Sequence, residues 1–249
     1  MSVVLENVSI PSGGVSLLGR VYRPAPEGKY PATVVCLGYP GDTKNRDLAE
    51  ELALNGIVAL VFYYRGAWGS GGSFRFSVME ESTRDALTYI RGLPYVDTAR
   101  VGLVSHSMGA VPLTKVMATD PTVKAGALMA PVADISLWTQ GDALETVIPH
   151  FLSSAKGKLE GLTADQLRAD LKEMERIGNP VDLVKDVHAP LLIVVGSRDE
   201  VSPPDVVKAF YDAANEPKRW VRIEGADHAF SEHRVPLVNS VLDWLRVAL

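Results

Sequence analysis

The sequence contains a single cysteine, Cys36, and no run of apolar residues long enough to cross a membrane. One thiol cannot form an internal disulfide. The first residues, MSVVLENVSIPSGG, show no basic segment followed by a long apolar segment, so we predict no secretory signal and no membrane partner. With no export signal and no disulfide, we expect a cytoplasmic location.

Positive charge is not in excess, since 25 Lys and Arg residues face 30 Asp and Glu residues and the net charge is -5. A mildly acidic surface favours solubility and argues against nucleic acid as a partner. The sequence also lacks a cysteine cluster, an H-E-x-x-H motif and any set of histidines and carboxylates at metal-ligand spacing. We therefore predict no metal site and no cofactor. The glycine-rich stretch GSGGSF does not fit the P-loop pattern.

The order of apolar and helical segments predicts an α/β fold. The 249 residues, 47% of them hydrophobic, are enough for one large domain over residues 1–249. Two antiparallel strands are predicted around the turn PSGG. Beyond them, apolar runs alternate with helical patterns; the runs cover 32–39, 57–64, 100–106, 124–132, 190–196 and 219–225. Continuous apolar strands separated by helices are typical of a parallel sheet covered on both faces.

Residues 136–182 interrupt this alternation. The stretch LWTQGDALETVIPHFLSS places apolar residues on one helical side, and TADQLRADLKEMERIG opens with a capping box from Thr163 to Gln166. Two helices between neighbouring strands predict a small helical cap above the sheet over residues 136–182.

The stretch VGLVSHSMGA, residues 101–110, predicts a buried strand that turns sharply into a helix. Ligands bind at the carboxyl ends of strands in such sheets, and Ser107 stands at this end. The small residues Ser105 and Gly109, two before and two after Ser107, suit a sharp turn. The amide of Met108 would point into the site at the helix N-terminus. Alternatively, Ser107 is an N-cap on an ordinary strand-to-helix turn.

This stretch resembles the nucleophile elbow of the α/β-hydrolase fold, G-x-S-x-G, with Ser105 in place of the first glycine. The resemblance implies a mostly parallel eight-stranded sheet with helices on both faces and a small helical cap. It also implies a nucleophilic serine, followed along the chain by an acid and then a histidine.

A serine nucleophile needs a base and an orienting acid. Asp199 follows the apolar strand of IVVGSRDEVSPP and His228 follows the next, in RIEGADHAF, so both lie at the same sheet edge as Ser107. Glu200 competes with Asp199, but its side chain is expected to face away. Alternatively, Asp199 is a turn residue and His228 a surface histidine beside Asp227. Each of the other four histidines is in the wrong place: His106 adjoins the serine, His150 lies in the predicted cap, His188 at the opposite edge of the sheet and His233 in the final helix.

The loop CLGYPGDTKN is similar to the H-G-x-x-G signature that supplies an oxyanion-hole amide, with Leu37 in place of the histidine. The similarity implies that the amides of Tyr39 and Met108 bind the oxyanion. Alternatively, Pro40 and Gly41 form only a turn.

The next loop, YYRGAWGSGGSF, resembles a stretch of serine esterases and prolyl-oligopeptidase-like hydrolases. The overall arrangement is similar to small esterases of the feruloyl or cinnamoyl type. Arg65 is expected to hold this loop through backbone carbonyls, with substrate binding as the alternative. Trp68, Trp138 and Phe151 are candidates to line an acyl or aromatic pocket; the alternative is packing between cap and core.

Together these features predict a serine hydrolase that cleaves small-molecule carboxylic esters through a Ser107–His228–Asp199 acyl-enzyme mechanism. One alternative is a peptidase of the prolyl-oligopeptidase type; such enzymes usually carry an N-terminal propeller, whereas the first predicted core strand begins here at residue 32. A second alternative is a non-enzymatic ligand-binding protein on the same fold. The sequence is compatible with a homo-oligomer.

Overall fold

The computed structural model describes residues 2–41 and 45–249. In this part of the chain, eight strands form one sheet in the order β1-β2-β4-β3-β5-β6-β7-β8. The strands β1 and β2 pair antiparallel, as do β2 and β4, and all other neighbours are parallel. The strands are β1 Val3–Ser12, β2 Val15–Pro24, β3 Tyr30–Cys36, β4 Val58–Phe62, β5 Val96–His106, β6 Gly126–Met129, β7 Leu191–Gly196 and β8 Lys218–Ile223.

Helices cover both faces of the sheet. Among them, α1 (Arg46–Leu54) packs against α9 (Arg234–Ala248), and α2 (Met79–Arg91) packs against α3 (Ala110–Thr119). The helices of the described residues are α1 Arg46–Leu54, α2 Met79–Arg91, α3 Ala110–Thr119, α4 Ser136–Thr139, α5 Gly141–Ala155, α6 Ala164–Ile177, α7 Pro180–Leu183, α8 Pro204–Ala213 and α9 Arg234–Ala248. The predicted fold class, an eight-stranded and mostly parallel α/β sheet, is confirmed.

Burial explains why the central strands are continuous apolar runs. Every residue of β4, β6 and β7 is buried, because helices close both faces of the sheet there. By contrast, from Leu5 onward β1 alternates between exposed residues and partly or fully buried ones, as expected for a strand with one face in solvent.

The parallel register brings the ends of several strands to one edge of the sheet. Cys36 of β3 pairs with Ser105 of β5, and His106 pairs with Met129 of β6. Further along, Gly196 of β7 pairs with Ile223 of β8. The loops that follow these strands therefore meet along the same edge, where the candidate site lies.

The stretch 136–182 between β6 and β7 contains α4, α5 and α6. The first predicted helix, over 137–154, is interrupted at Gln140, whose backbone is extended with φ -108° and ψ 147°. The side chain of Thr163 accepts a 3.3 Å hydrogen bond from the amide of Gln166, as the capping motif predicts for the start of α6.

The two ends of this inserted segment are joined to each other. The side-chain amide of Asn179 donates a 2.6 Å hydrogen bond to Asp134, and the amide of Val181 donates to the carbonyl of Ala133 over 3.0 Å. Burial acts to raise the pKa of Asp134, but hydrogen bonds from Ser136 and Asn179 outweigh it and hold the pKa below its ordinary value. The two ends of the inserted segment are thus held side by side.

Arg65 was expected to hold its own loop, YYRGAWGSGGSF, through backbone carbonyls, but the structure gives it other partners. Its guanidinium donates to the hydroxyl of Ser12 over 2.9 Å and to the carboxylate of Glu81 over 2.9 Å, and lies 3.5 Å from Asp85. Its partners among the described residues are these side chains rather than backbone carbonyls. The guanidinium occupies the space where a side chain at Gly13 would begin.

Candidate active site

Ser107 lies in a strained turn between β5 and α3. Its φ is +53°, a left-handed conformation that is uncommon outside glycine. Ser107 is 8% exposed. Two close approaches require glycine around it: a Cβ at Gly109 would lie 2.2 Å from the carbonyl oxygen of Cys36, and one at Gly38 would lie 3.0 Å from the Cβ of Ser107. The local sequence therefore presents one hydroxyl at the tip of a tight turn.

Ser105 occupies the position where the motif usually has glycine. It belongs to β5 and is fully buried, and its hydroxyl has no hydrogen-bond partner among the described residues. The strand accommodates this small side chain, so the departure from the motif does not prevent the turn.

Ser107, His228 and Asp199 form one hydrogen-bonded series. The hydroxyl of Ser107 lies 2.8 Å from Nε2 of His228, and Nδ1 of His228 lies 2.9 and 3.0 Å from the two carboxylate oxygens of Asp199. A carboxylate only accepts hydrogen bonds, so Nδ1 carries the proton and Nε2 is left to accept from Ser107. This tautomer is the one in which a histidine can remove a proton from the serine.

Asp199 is held by its own loop. Its side chain is 0% exposed, and its Oδ1, which lies 3.0 Å from Nδ1 of His228, accepts from the amides of Val201 over 2.9 Å and Ser202 over 2.8 Å. Glu200 is exposed to solvent. Between the two candidate acids, the structure thus brings Asp199 to the histidine and leaves Glu200 outside the series.

A contact that the sequence analysis missed fixes the backbone of His228. Nε2 of His106 lies 2.9 Å from the carbonyl oxygen of His228, and the two rings are 5.2 Å apart between centroids. A carbonyl only accepts, so Nε2 of His106 carries a proton. His106, which the sequence analysis described only as adjoining the serine, therefore holds the loop that carries His228.

The two predicted oxyanion donors lie on either side of Ser107. Met108 follows it in the first turn of a helix, where backbone amides have no acceptor within the helix. Tyr39 follows Gly38, which lies beside Ser107 with no room for a side chain between them. That the amides of Tyr39 and Met108 donate to the same oxyanion stays a prediction. Residues 42–44 of the predicted loop lie outside the described residues.

The side chain of Tyr39 belongs to a group of rings that we call the aromatic cluster, formed by Tyr39, Phe74, Phe76 and Phe151. The ring of Tyr39 lies 4.8 Å from Phe151, 5.3 Å from Phe76 and 5.7 Å from Phe74. Its hydroxyl donates a 2.5 Å hydrogen bond to the carbonyl of Phe151 in α5. Burial raises the pKa of Tyr39 well above its ordinary value, so the hydroxyl remains a donor.

The candidate pocket residues differ in exposure. Phe151 is 7% exposed and packs within the aromatic cluster. Trp138 is half-buried, with its ring 6.0 Å from Phe151. Trp68 is 37% exposed and donates a 2.7 Å hydrogen bond from its indole to the carbonyl of Pro40. Substrate contact by these residues stays a prediction, and the contacts seen for Phe151 are packing contacts.

The thiol of Cys36 takes no part in the hydrogen-bonded series. Cys36 is fully buried, and burial raises the pKa of its thiol to about 12, so it behaves as a small apolar side chain. Within residues 2–41 and 45–249, no three His, Cys, Asp or Glu side chains are grouped to hold a metal ion. No helix in the same residues is both long and apolar enough to cross a membrane.

The chain belongs to the alpha/beta hydrolase family, whose model matches residues 33–240. It is 30% identical over 216 residues to an uncharacterized protein of Mycobacterium tuberculosis, covering 86% of this chain and 69% of that protein. The predicted resemblance to the α/β-hydrolase family is therefore confirmed.

Two solved structures share the fold. Est1E from Butyrivibrio proteoclasticus superposes with a TM-score of 0.74 at 18% identity, covering 97% of this chain and 98% of Est1E. Dipeptidyl peptidase 4 from Porphyromonas gingivalis gives a TM-score of 0.75 at 23% identity, covering 100% of this chain and 36% of the peptidase. Enzymes with different substrates thus share this architecture, and the fold alone does not select between them.

Proposed function

We propose that the protein is a serine hydrolase that cleaves carboxylic esters of small molecules through an acyl-enzyme. The observation that carries the proposal is the hydrogen-bonded series from Ser107 through His228 to Asp199, placed at a strained turn. A buried carboxylate, a histidine in the required tautomer and a serine within 2.8 Å of its free nitrogen form the arrangement that nucleophilic catalysis needs.

In the first half of the reaction, the oxygen of Ser107 attacks the ester carbonyl carbon while Nε2 of His228 takes the hydroxyl proton. Asp199 holds the imidazole and stabilises its positive form. The amides of Tyr39 and Met108 stabilise the negative oxygen of the tetrahedral intermediate. The C–O bond to the alcohol then breaks, and His228 returns its proton to the departing oxygen.

In the second half, water replaces the alcohol. His228 removes a proton from the water, whose oxygen attacks the acyl carbon. The tetrahedral intermediate collapses, the bond to Ser107 breaks, and the serine oxygen recovers the proton from His228. The products are a carboxylic acid and an alcohol, and no cofactor takes part.

Esters are favoured over amides for two reasons. An amide nitrogen is a poor leaving group and requires accurate protonation and more binding contacts than an ester. In addition, the likeness to Est1E extends over nearly the whole of both chains, and one structure of Est1E is described as bound to ferulic acid. A short acyl group or a hydroxycinnamoyl group would suit a site roofed by α5 and its aromatic residues.

Peptidase activity is the second candidate, because the likeness to dipeptidyl peptidase 4 covers the whole of this chain. It uses the same serine and histidine, so the reacting groups do not distinguish the two candidates. A ligand-binding protein on the same fold is the third candidate and would not turn over an acyl group.

Two measurements separate these functions. A fluorophosphonate probe should label the native protein and fail to label Ser107→Ala, while Ser105→Ala, which removes a neighbouring hydroxyl without a partner, should be labelled normally. Next, kcat/KM is compared for an ester and an anilide with the same acyl group. A clear excess for the ester supports the proposal. An equal or larger value for the anilide would favour the peptidase, and absence of labelling would favour the binding protein.

A further inference from the structure

Tyr39 connects the nucleophile to the cap. Its backbone follows Gly38, where an added Cβ would lie 3.0 Å from the Cβ of Ser107, and its hydroxyl donates to the carbonyl of Phe151 within α5. One residue thus joins the loop beside the nucleophile to the inserted segment, 112 positions further along the chain.

A second connection is made at the next residue of the same loop. The indole nitrogen of Trp68 donates to the carbonyl of Pro40 over 2.7 Å. The amide of Trp68 in turn donates to the carbonyl of Lys158 over 2.8 Å, just beyond the end of α5. Two consecutive residues of the loop are therefore attached to the same part of the inserted segment, one directly and one through Trp68.

The loop needs such attachment because its own backbone is permissive. Gly38 and Gly41 flank Tyr39 and Pro40, and Gly41 has a φ of +88°. An oxyanion donor must be held in place before the reaction to be effective, since its value depends on pre-set orientation.

We infer that the side chain of Tyr39 is a positioning group that holds its own backbone amide at the oxyanion by anchoring it to α5. The inference rests on the proposed function, since it assigns a second role to the residue that supplies the amide. It follows that the seating of the cap and the quality of the oxyanion site are coupled. Because burial raises the pKa of Tyr39, its hydroxyl stays protonated and the anchor persists beyond the pH at which an exposed tyrosine would ionise.

Tyr39→Phe tests this role because it removes the hydroxyl and keeps the ring in the aromatic cluster. Removing an oxyanion donor outright lowers kcat about 100- to 1000-fold, so loosening one should lower kcat about tenfold, with KM changed less than about twofold. The matched control is Tyr30→Phe. Tyr30 also donates its phenolic proton to a backbone carbonyl, that of Pro26, at the opposite end of β3. Its loss should leave kcat unchanged.

A ligand that forms an oxyanion separates positioning from general structural damage. A trifluoromethyl ketone with the acyl group of the substrate adds to the serine and gives a charged oxygen in the same place. Its inhibition constant should rise with Tyr39→Phe by the same factor as kcat falls. Binding of the intact ester to Ser107→Ala, with and without Tyr39→Phe, should be equal within twofold.

The outcomes distinguish this inference from the proposed function. If native protein shows Ser107-dependent ester turnover, and Tyr39→Phe leaves kcat and ketone inhibition unchanged, the positioning role is refuted and the function stands. A change confined to KM or to ester binding would also refute it, because the hydroxyl would then act on the ground state. If native protein shows no Ser107-dependent turnover, the proposed function fails, and this inference fails with it.

Discussion

Replacing Gly109 with alanine adds one methyl group at the tightest contact around the nucleophile. The new Cβ would lie 2.2 Å from the carbonyl oxygen of Cys36 and 2.8 Å from that of Leu37, whereas ordinary contacts begin at 3.4 Å. The backbone of Gly109 has a φ of -60°, which alanine adopts freely, so the effect is steric alone. Both obstructing atoms belong to the main chain at the end of β3, and they cannot rotate away as a side chain could.

The clash is relieved only if β3 and the turn move apart by about 1 Å. Overpacking of this kind costs about 1–3 kcal/mol, which in a chain of this size lowers the melting temperature by about 2–4 °C for each kcal/mol. A misplacement of about 1 Å at a reacting group can reduce turnover about 100-fold. We therefore expect Gly109→Ala to lose far more activity than stability.

The loss of stability is measured as the change in melting temperature, with unfolding monitored by circular dichroism. The loss of activity is measured as kcat for an ester. Gly92→Ala is the matched control, because Gly92 also has a helical backbone, with φ -78°, and its added Cβ would meet nothing nearer than 3.3 Å. The control should keep wild-type kcat. Wild-type melting and turnover in Gly109→Ala would refute the steric account of the elbow.

Further predictions concern the acid, the cap and the core. Asp199→Asn should lower kcat about 10⁴-fold by favouring the wrong imidazole tautomer, while Glu200→Gln should keep it; the reverse result at one pH would mean that the acid is misassigned. Trp138→Ala should change KM or acyl-chain preference across an ester panel, and unaltered kinetics would limit this residue to packing. Phe151→Ala should lower the free energy of unfolding by about 3–5 kcal/mol because it removes one ring from the aromatic cluster and leaves a cavity. An unchanged free energy of unfolding in a denaturant titration would contradict this. Since burial raises the pKa of Cys36 to about 12, a disulfide reagent at pH 8 should find no reactive thiol in folded protein and one after unfolding.

The fold and the three reacting groups could be predicted mainly from the periodicity of apolar residues and from the order of the strands. The apolar runs of β4 and β7 are buried on both faces, so their pattern could be recognised without knowledge of their neighbours. Likewise, the positions of Asp199 and His228 relative to Ser107 follow from the rule that parallel strands end at one edge.

Contacts between distant segments could not be predicted in this way. The aromatic cluster brings together positions 39, 74, 76 and 151, and no local pattern relates them. The contact of His106 with the carbonyl of His228 joins side chain to backbone, and such a bond leaves no mark on the residue type that accepts it. The break in the predicted helix at Gln140 was missed for a different reason, because the apolar stripe in the sequence continues across it.

The hydrogen bond between Asp134 and Asn179 holds together the two ends of the 45-position segment between them. Because its ends are already together, a change in the length of this loop alters its closure free energy by only about 0.6 kcal/mol per doubling. The strands on either side, β6 and β7, are direct neighbours that pair in parallel. Insertions or deletions between Asp134 and Asn179 that spare α5 should therefore leave the sheet intact, whereas changes in α5 should disturb the loop that carries Tyr39.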